Sequence, residues 1–175
     1  MATQPFFDRL EAVRRARETV LCVGIDPRLE RIPDDLKSAC GGDPEAILRR
    51  FGLEVIELAG PHAACFKPQI AFFEAHGLGG LRAYADVVKE ARSRGHLVIG
   101  DVKRGDIGST AAAYAEGHLA PGTSLEVDAL TLNPYLGADA LQPFVDAAMR
   151  HGKGLYVLVR TSNPGARDLQ ELDTG

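Results

Sequence analysis

Apolar positions along this chain alternate between two spacings. Phe6, Leu10 and Val13 recur at helical intervals within residues 5–18, with Pro5 at a first helical position, which predicts a short amphipathic helix. VLCVGID (20–26) is a continuous apolar run ending in an acid, the pattern of a strand buried on both faces with a polar C-terminal tip. Past a Pro/Asp/Gly-rich connection, Asp43 can cap a helix with Pro44 at its first position. Ile47, Phe51, Val55 and Leu58 would form its inward face, and Gly60 and Pro61 would stop it. The alternation continues with a strand at 63–67, a helix at 81–95 ended by Gly95, and a strand at 96–103. A small-residue helix STAAAYAEGHL, a strand at 127–133, a helix at 138–152 and a fifth strand at 154–163 complete the pattern.

Strands and helices that alternate in this way imply parallel strands joined by right-handed crossovers. No Ser/Gly-rich linker interrupts them, so residues 1–175 are expected to form a single domain. An open doubly wound sheet and a closed (β/α)8 barrel compete for this pattern, and the strand ends favour the barrel. Asp26, Lys67, Asp101 with Lys103, Asn133, and Ser162 with Asn163 stand at the C-terminal ends of several different strands, as on the catalytic face of a barrel. An open sheet would gather its ligand at one switch point, and no GxGxxG follows the first strand. The expected fold class is therefore α/β of the (β/α)8 TIM barrel type, with about the first five βα units in this chain.

Composition narrows the classes of function. The 175 residues are 45% hydrophobic and 25% charged, which suits a packed globular core. With 20 basic against 24 acidic residues the net charge is −4, and no basic block is present to neutralise a phosphate backbone, so nucleic acid is not an expected partner. No apolar run approaches the roughly 20 residues that span a bilayer, and the charged amphipathic N-terminal segment does not resemble a signal peptide, so no membrane partner and a cytoplasmic location are expected. Cys22, Cys40 and Cys65 are odd in number and lack CxxC spacing; they are expected to be buried thiols in a reducing compartment. His62, His76, His96, His118 and His151 show no ligand spacing, and no metal site is expected.

Candidate chemistry concentrates in GDVKRGDIGST (100–110). Asp101 and Lys103 are two apart on an extended segment, so their side chains should leave on one face, toward the barrel interior. An acid and an amine a few Å apart in a low-dielectric cavity hold each other ionised, and the lysine becomes an oriented proton donor. Lys67, at the preceding strand tip, adds a second cation. Asp106 lies just past the strand, where a tight turn at Gly105 can carry it over the mouth of its own or a neighbouring barrel. A loop-anchoring ion pair is the plain alternative for D-x-K. Four converging ionisable groups, costly to bury without a function, favour a site. Asp26 reads either as a helix cap or as a hydroxyl-binding carboxylate, and Ser162 and Asn163 before Pro164 read either as a turn or as ligand contacts.

VGIDPR, CFKPQIAFFE, DVKRGDIGST, LNPYLG and VRTSNPG, in that order, resemble orotidine 5′-phosphate decarboxylase, in its longer bacterial branch, over essentially the whole chain. The resemblance implies that Lys67, Asp101, Lys103 and Asp106 form an alternating Lys-Asp-Lys-Asp array. Asp106 would cross a homodimer interface, with Ile107 and Thr110 beside it. It also implies that Asp26 and Lys67 hold ribose hydroxyls and that Ser162 reads the pyrimidine. The implied reaction is cofactor-free decarboxylation of orotidine 5′-monophosphate to UMP in pyrimidine synthesis, with Lys103 donating the proton.

Five βα units fall short of the eight a barrel needs, and the glutamine and arginine with which the resembled family grips phosphate have no counterpart here. The chain is expected to be the N-terminal part of a longer polypeptide, and its activity alone is in doubt because remote phosphate contacts supply binding energy used at the reacting centre. Two other readings stand beside the first. A Mg²⁺-dependent sugar-phosphate barrel, of the 3-keto-gulonate-6-phosphate decarboxylase or hexulose-phosphate synthase type, needs another carboxylate near Asp101, and Glu54, Glu57 and Glu74 are not placed to supply it. A catalytically silent partial barrel that binds a pyrimidine nucleotide is the other.

Overall fold

In the computed structural model, residues 4–173 are described; the three residues before them and the two after, which the single-domain reading of 1–175 includes, lie outside the described residues. The opening periodicity gives α1 (Phe6–Ala16), with Pro5 at the N-cap, and the apolar run that follows gives β1 (Cys22–Ile25). Asp43 caps α3 (Pro44–Ala59) through a hydrogen bond from the Ala46 amide at 3.2 Å, and Gly60 ends it. Within the connection before it lies α2 (Asp34–Ala39), a short helix not expected from the sequence. The next strand, β2 (Cys65–Pro68), leads through α4 (Ala71–Glu74) into α5 (Gly77–Ser93), which starts earlier than its apolar pattern suggested. The remaining elements are β3 (Leu97–Arg104), α6 (Gly108–Leu119), β4 (Ala129–Leu132), α7 (Ala138–His151) and β5 (Gly154–Val157).

All five strands are parallel and lie in chain order, β1-β2-β3-β4-β5. Each strand pairs with the next in sequence, as successive βα units do when a sheet curls toward closure, and no order reversal creates the switch point of a doubly wound sheet. The fold is part of a (β/α)8 barrel: the described residues hold five strands, and α-helices follow the first four of them, one βα unit fewer than the five expected.

Alternation along the strands sorts the two faces. Phe66, Val98, Leu130 and Leu132 point outward and bury against the helices, together with Leu48, Ile56, Tyr84, Val87 and Phe144. Gly52 allows α3 and α5 to meet, since a Cβ there would stand 2.4 Å from Val87 Cγ2. The inner face is split along its length. At its N-terminal end Cys65, Leu97, Ile99 and Ala129 pack against Phe6, with Leu10, Val13 and Tyr156 beside them, so α1 closes that end as an apolar plug. Two residues further along the strands, the same face carries Lys67, Asp101 and Thr131.

Three expectations need correction. β1 is not buried on both faces: Val20 is 80% exposed, and Leu21 and Cys22 are also exposed, because this strand pairs only with β2 among the described residues. Of the three cysteines expected to be buried, only Cys65 is; Cys22 is exposed and Cys40 intermediate. The fifth strand ends at Val157 instead of 163, after a last ladder bond from the Leu158 amide to the Leu132 carbonyl at 3.0 Å. Among the described residues β5 pairs only with β4, and past Leu158 the chain leaves the sheet.

Beneath the sheet, at the strands' N-terminal ends, an ion network ties helices to the loop before β4. Glu126 accepts from Arg92 of α5 at 2.6 Å, from Lys153 at 2.7 Å and from the Gly122 amide at 2.8 Å. Asp128 accepts from Arg9 of α1 and from the Val98 amide, both at 3.0 Å. Burial alone would raise the Glu126 carboxyl, but the hydrogen bonds from Arg92, Lys153 and Gly122 outweigh it and lower its pKa to about 2. A carboxyl depressed in the folded state adds stability above its unfolded pKa of 4.5 and loses it as pH falls toward 2. Stability should therefore fall by roughly 2–3 kcal/mol across that window on account of Glu126, and Glu126→Gln should flatten this part of a urea-unfolding profile taken against pH.

Candidate functional site

The centre of the site is Asp101, 6% exposed on the inner face of β3. A carboxylate at that depth needs partners, and three donors from three strands supply them. Lys67 Nζ, from β2, donates to Oδ2 at 2.7 Å. Lys103 Nζ donates to Oδ1 at 2.5 Å, and Thr131 Oγ1, from β4, donates to the same oxygen at 3.1 Å. Burial pushes the Asp101 carboxyl upward, but the hydrogen bonds and charges of Lys103 and Lys67 outweigh it and hold the group below the ordinary carboxylate range. Asp101 is thus a fixed anion between two ammonium groups.

The expected neighbours meet, although not by simple strand alternation. Register between β3 and β4 shifts between Gly100 and Arg104, and Lys103 has φ 46°, in the left-handed region that costs a side-chain-bearing residue about 1–2 kcal/mol. This local turn, after the last regular pair, brings the Lys103 ammonium back onto Asp101. Gly105 is needed for a different reason than a tight turn of its own: a Cβ there would stand 2.8 Å from the Asn133 carbonyl oxygen. Nor is the cluster enclosed in a low-dielectric cavity within this chain, because the Lys67 and Lys103 side chains are 35% and 45% exposed. Two partly solvated ammonium groups held over a fixed anion can receive an anionic ligand and pass a proton to it.

The other expected residues stand apart from this cluster. Asp106 is half-buried, and its Oδ1 accepts from the Ile107 amide at 2.8 Å, so three members of the four-residue array come together and the fourth does not join them within the chain. Ile107 and Thr110 are exposed at the start of α6. Asp26 is exposed and caps no helix, since the next helical turn (Leu29–Arg31) has Arg28 at its N-cap with no side-chain cap. Its Oδ1 lies 3.6 Å from where a Gly24 Cβ would stand, and Gly24 is the ladder partner of Lys67, so this carboxylate borders the site. Ser162 is exposed in the loop past β5, and Asn163 Oδ1 accepts from the Thr161 hydroxyl at 2.6 Å in a local turn.

Thr131 escaped sequence reasoning. Its signal was a lone hydroxyl in the otherwise apolar strand ALTL, next to Asn133 at the strand end. Among the described residues no group of three or more His, Cys, Asp or Glu side chains is arranged to hold a metal ion, and no helix is long and apolar enough to cross a membrane.

Comparison with known proteins gives one consistent result. The model of the Orotidine 5'-phosphate decarboxylase / HUMPS family matches residues 19–174. The orotidine 5′-phosphate decarboxylase of Deinococcus radiodurans is 50% identical over 155 residues, covering 89% of this chain and 53% of that protein. That of Clostridium perfringens strain SM101 is 40% identical over all 175 residues, covering 58% of its length. A solved structure from Streptomyces avermitilis superposes with a TM-score of 0.87 at 46% identity, covering 99% of this chain and 60% of the other. The Leishmania donovani OMP decarboxylase does so with a TM-score of 0.81 at 37% identity, over 98% and 60%. The chain therefore spans a little over half the length of the curated relatives it matches.

The strained turn is open to a direct check. Lys103→Gly and Lys103→Ala both remove the ammonium, but only alanine keeps a Cβ at positive φ. Urea denaturation should find the glycine variant about 1 kcal/mol more stable than the alanine variant, the reverse of their order in ordinary strand positions. Equal stabilities would show that the left-handed backbone costs nothing at this position.

Proposed function

This chain belongs to the Orotidine 5'-phosphate decarboxylase / HUMPS family, and from that premise we propose that it carries the catalytic half of an enzyme that decarboxylates orotidine 5′-monophosphate to UMP without a cofactor. The observation that carries this reading is the Asp101 carboxylate clamped between the Lys67 and Lys103 ammonium groups at the strands' C-terminal ends. The relatives at 40–50% identity, named for this reaction, supply the substrate.

The chemistry follows from charge. The bond between the pyrimidine ring and its carboxylate breaks, CO2 leaves, and the electron pair stays on a ring carbon that delocalises it poorly. A cation fixed at that carbon stabilises the developing charge more than it stabilises the substrate's carboxylate, which is what lowers a barrier. Lys103 is that cation and then delivers its proton to the carbon; its partial exposure lets solvent restore the proton. Asp101 would crowd the substrate carboxylate while anchoring both ammonium groups. Lys67 on β2 and Asp26 just past β1 would hold the ribose hydroxyls, and Ser162 would read the base.

Asp106, unattached to the cluster in the single chain, would complete the array of a second copy in a homodimer, with the exposed Ile107 and Thr110 lining the same junction. Residues 1–175 would act as one domain, the N-terminal portion of the barrel, in a cytoplasmic enzyme whose partners are the nucleotide and its own second subunit.

The test is CO2 release from orotidine 5′-monophosphate by the full-length polypeptide that carries this sequence. Release matched by UMP formation, undiminished by a chelator, is expected; no release would end the proposal. Lys103→Ala should lower kcat by about a thousandfold or more while UMP still binds. A near-wild-type kcat in that variant would remove Lys103 as the proton donor.

A further inference from the structure

Thr131 is 8% exposed in the middle of β4, and its hydroxyl is used to capacity. Oγ1 accepts from the Val102 amide at 2.9 Å and from the Lys103 amide at 3.0 Å, and it donates to Asp101 Oδ1 at 3.1 Å. The Gly100 carbonyl lies farther off, at 3.4 Å. Both amides fall inside the stretch where β3 loses register with β4, so this hydroxyl receives N–H groups that the regular ladder skips. It does so at the one turn where Lys103 enters the left-handed region. A threonine that served only to fill the sheet could be valine, which has the same outline and a high strand propensity.

We propose that Thr131 is a positioning residue of the reaction, whose hydroxyl pins the strained Lys103 backbone and the Asp101 carboxylate together so that ammonium and anion keep a fixed separation. The inference rests on the function proposed above and adds to it a residue that touches neither nucleotide nor reacting carbon. The hydroxyl couples the two groups from the neighbouring strand: one side of it fixes where the Lys103 side chain begins, and the other fixes the oxygen to which that side chain returns. Loss of the hydroxyl would leave the buried Val102 amide and the partly buried Lys103 amide without this acceptor, and Asp101 with two donors in place of three. The charged and titratable groups around Asp101 are Lys67 on β2, Lys103 on its own strand, Cys22 on β1 and Tyr84 on α5. None of these changes in the test.

Thr131→Val and Thr131→Ser, made in the full-length polypeptide, decide the matter. The valine variant should lose about 10- to 100-fold in kcat with KM within about threefold of wild type. The acid limb of its kcat/KM profile should move to higher pH, because Asp101 loses a donor that favours its ionised form. Serine, which keeps the hydroxyl, should restore both. A valine variant with wild-type kcat and an unmoved acid limb would overturn the proposal, whatever its melting temperature. Two readouts need no turnover: the Asp101 carboxyl should titrate higher by carbon NMR, and the Val102 and Lys103 amides should exchange faster. If wild type releases no CO2 but these shifts occur, the decarboxylase reading fails and the positioning role of the hydroxyl stands. If CO2 is released and neither shift occurs, the positioning role fails alone. Should Thr131→Val not fold, Thr131→Cys, a weak hydrogen-bonding replacement, is judged by the same readouts and the same outcomes.

Discussion

A carboxylate set deep on the inner face of a sheet is unstable unless both of its oxygens find donors, and Asp101 imposes that demand on three strands at once. Lys67 reaches it from β2, Lys103 from β3 and Thr131 from β4. Removal of either lysine would take one of its three donors from the buried anion and leave the other ammonium as its sole countercharge. The anion therefore fixes the relative placement of neighbouring βα units at the same time as it orients two ammonium groups toward the open end of the sheet.

That placement demands an irregular backbone. A regular β3 would carry its side chains up and away in strict alternation; the register shift after Gly100 and the left-handed Lys103 instead turn the lysine back onto the acid two residues before it. Strain of this kind persists only where its surroundings determine it fully. Here the surroundings are the Thr131 hydroxyl beneath the turn and the close approach of Gly105 to the Asn133 carbonyl above it.

The inner face also separates stability from chemistry along one axis. Toward the strands' N-terminal ends it is apolar and plugged by Phe6 of α1, with the Glu126 and Asp128 networks binding helices and loops around it. Toward their C-terminal ends it is charged and partly open to solvent. The plug gives the charged layer a dry floor, while exposure of the lysines keeps them in reach of ligand and of exchangeable protons.

Much of this was legible in the residues. Alternating apolar runs and amphipathic helices determined the parallel βα succession, Asp43 with Pro44 marked a helix start, and the polar strand ends pointed to a barrel and to Lys67, Asp101 and Lys103, because these features are local and periodic. The sequence also overstated some elements. The run at 20–26 looked doubly buried, but burial depends on what packs alongside, and among the described residues β1 pairs only with β2. The strand at 154–163 ends at Val157, and the residues after it form a loop and a short 3-10 turn. Only the tertiary structure decided that Asp106 stands apart from the cluster, that Lys103 returns through a left-handed turn, and that Thr131 ties the turn to the acid. Each depends on how β3 and the loop after it sit against β4, and that register is a property of the assembled sheet that no single stretch of chain contains.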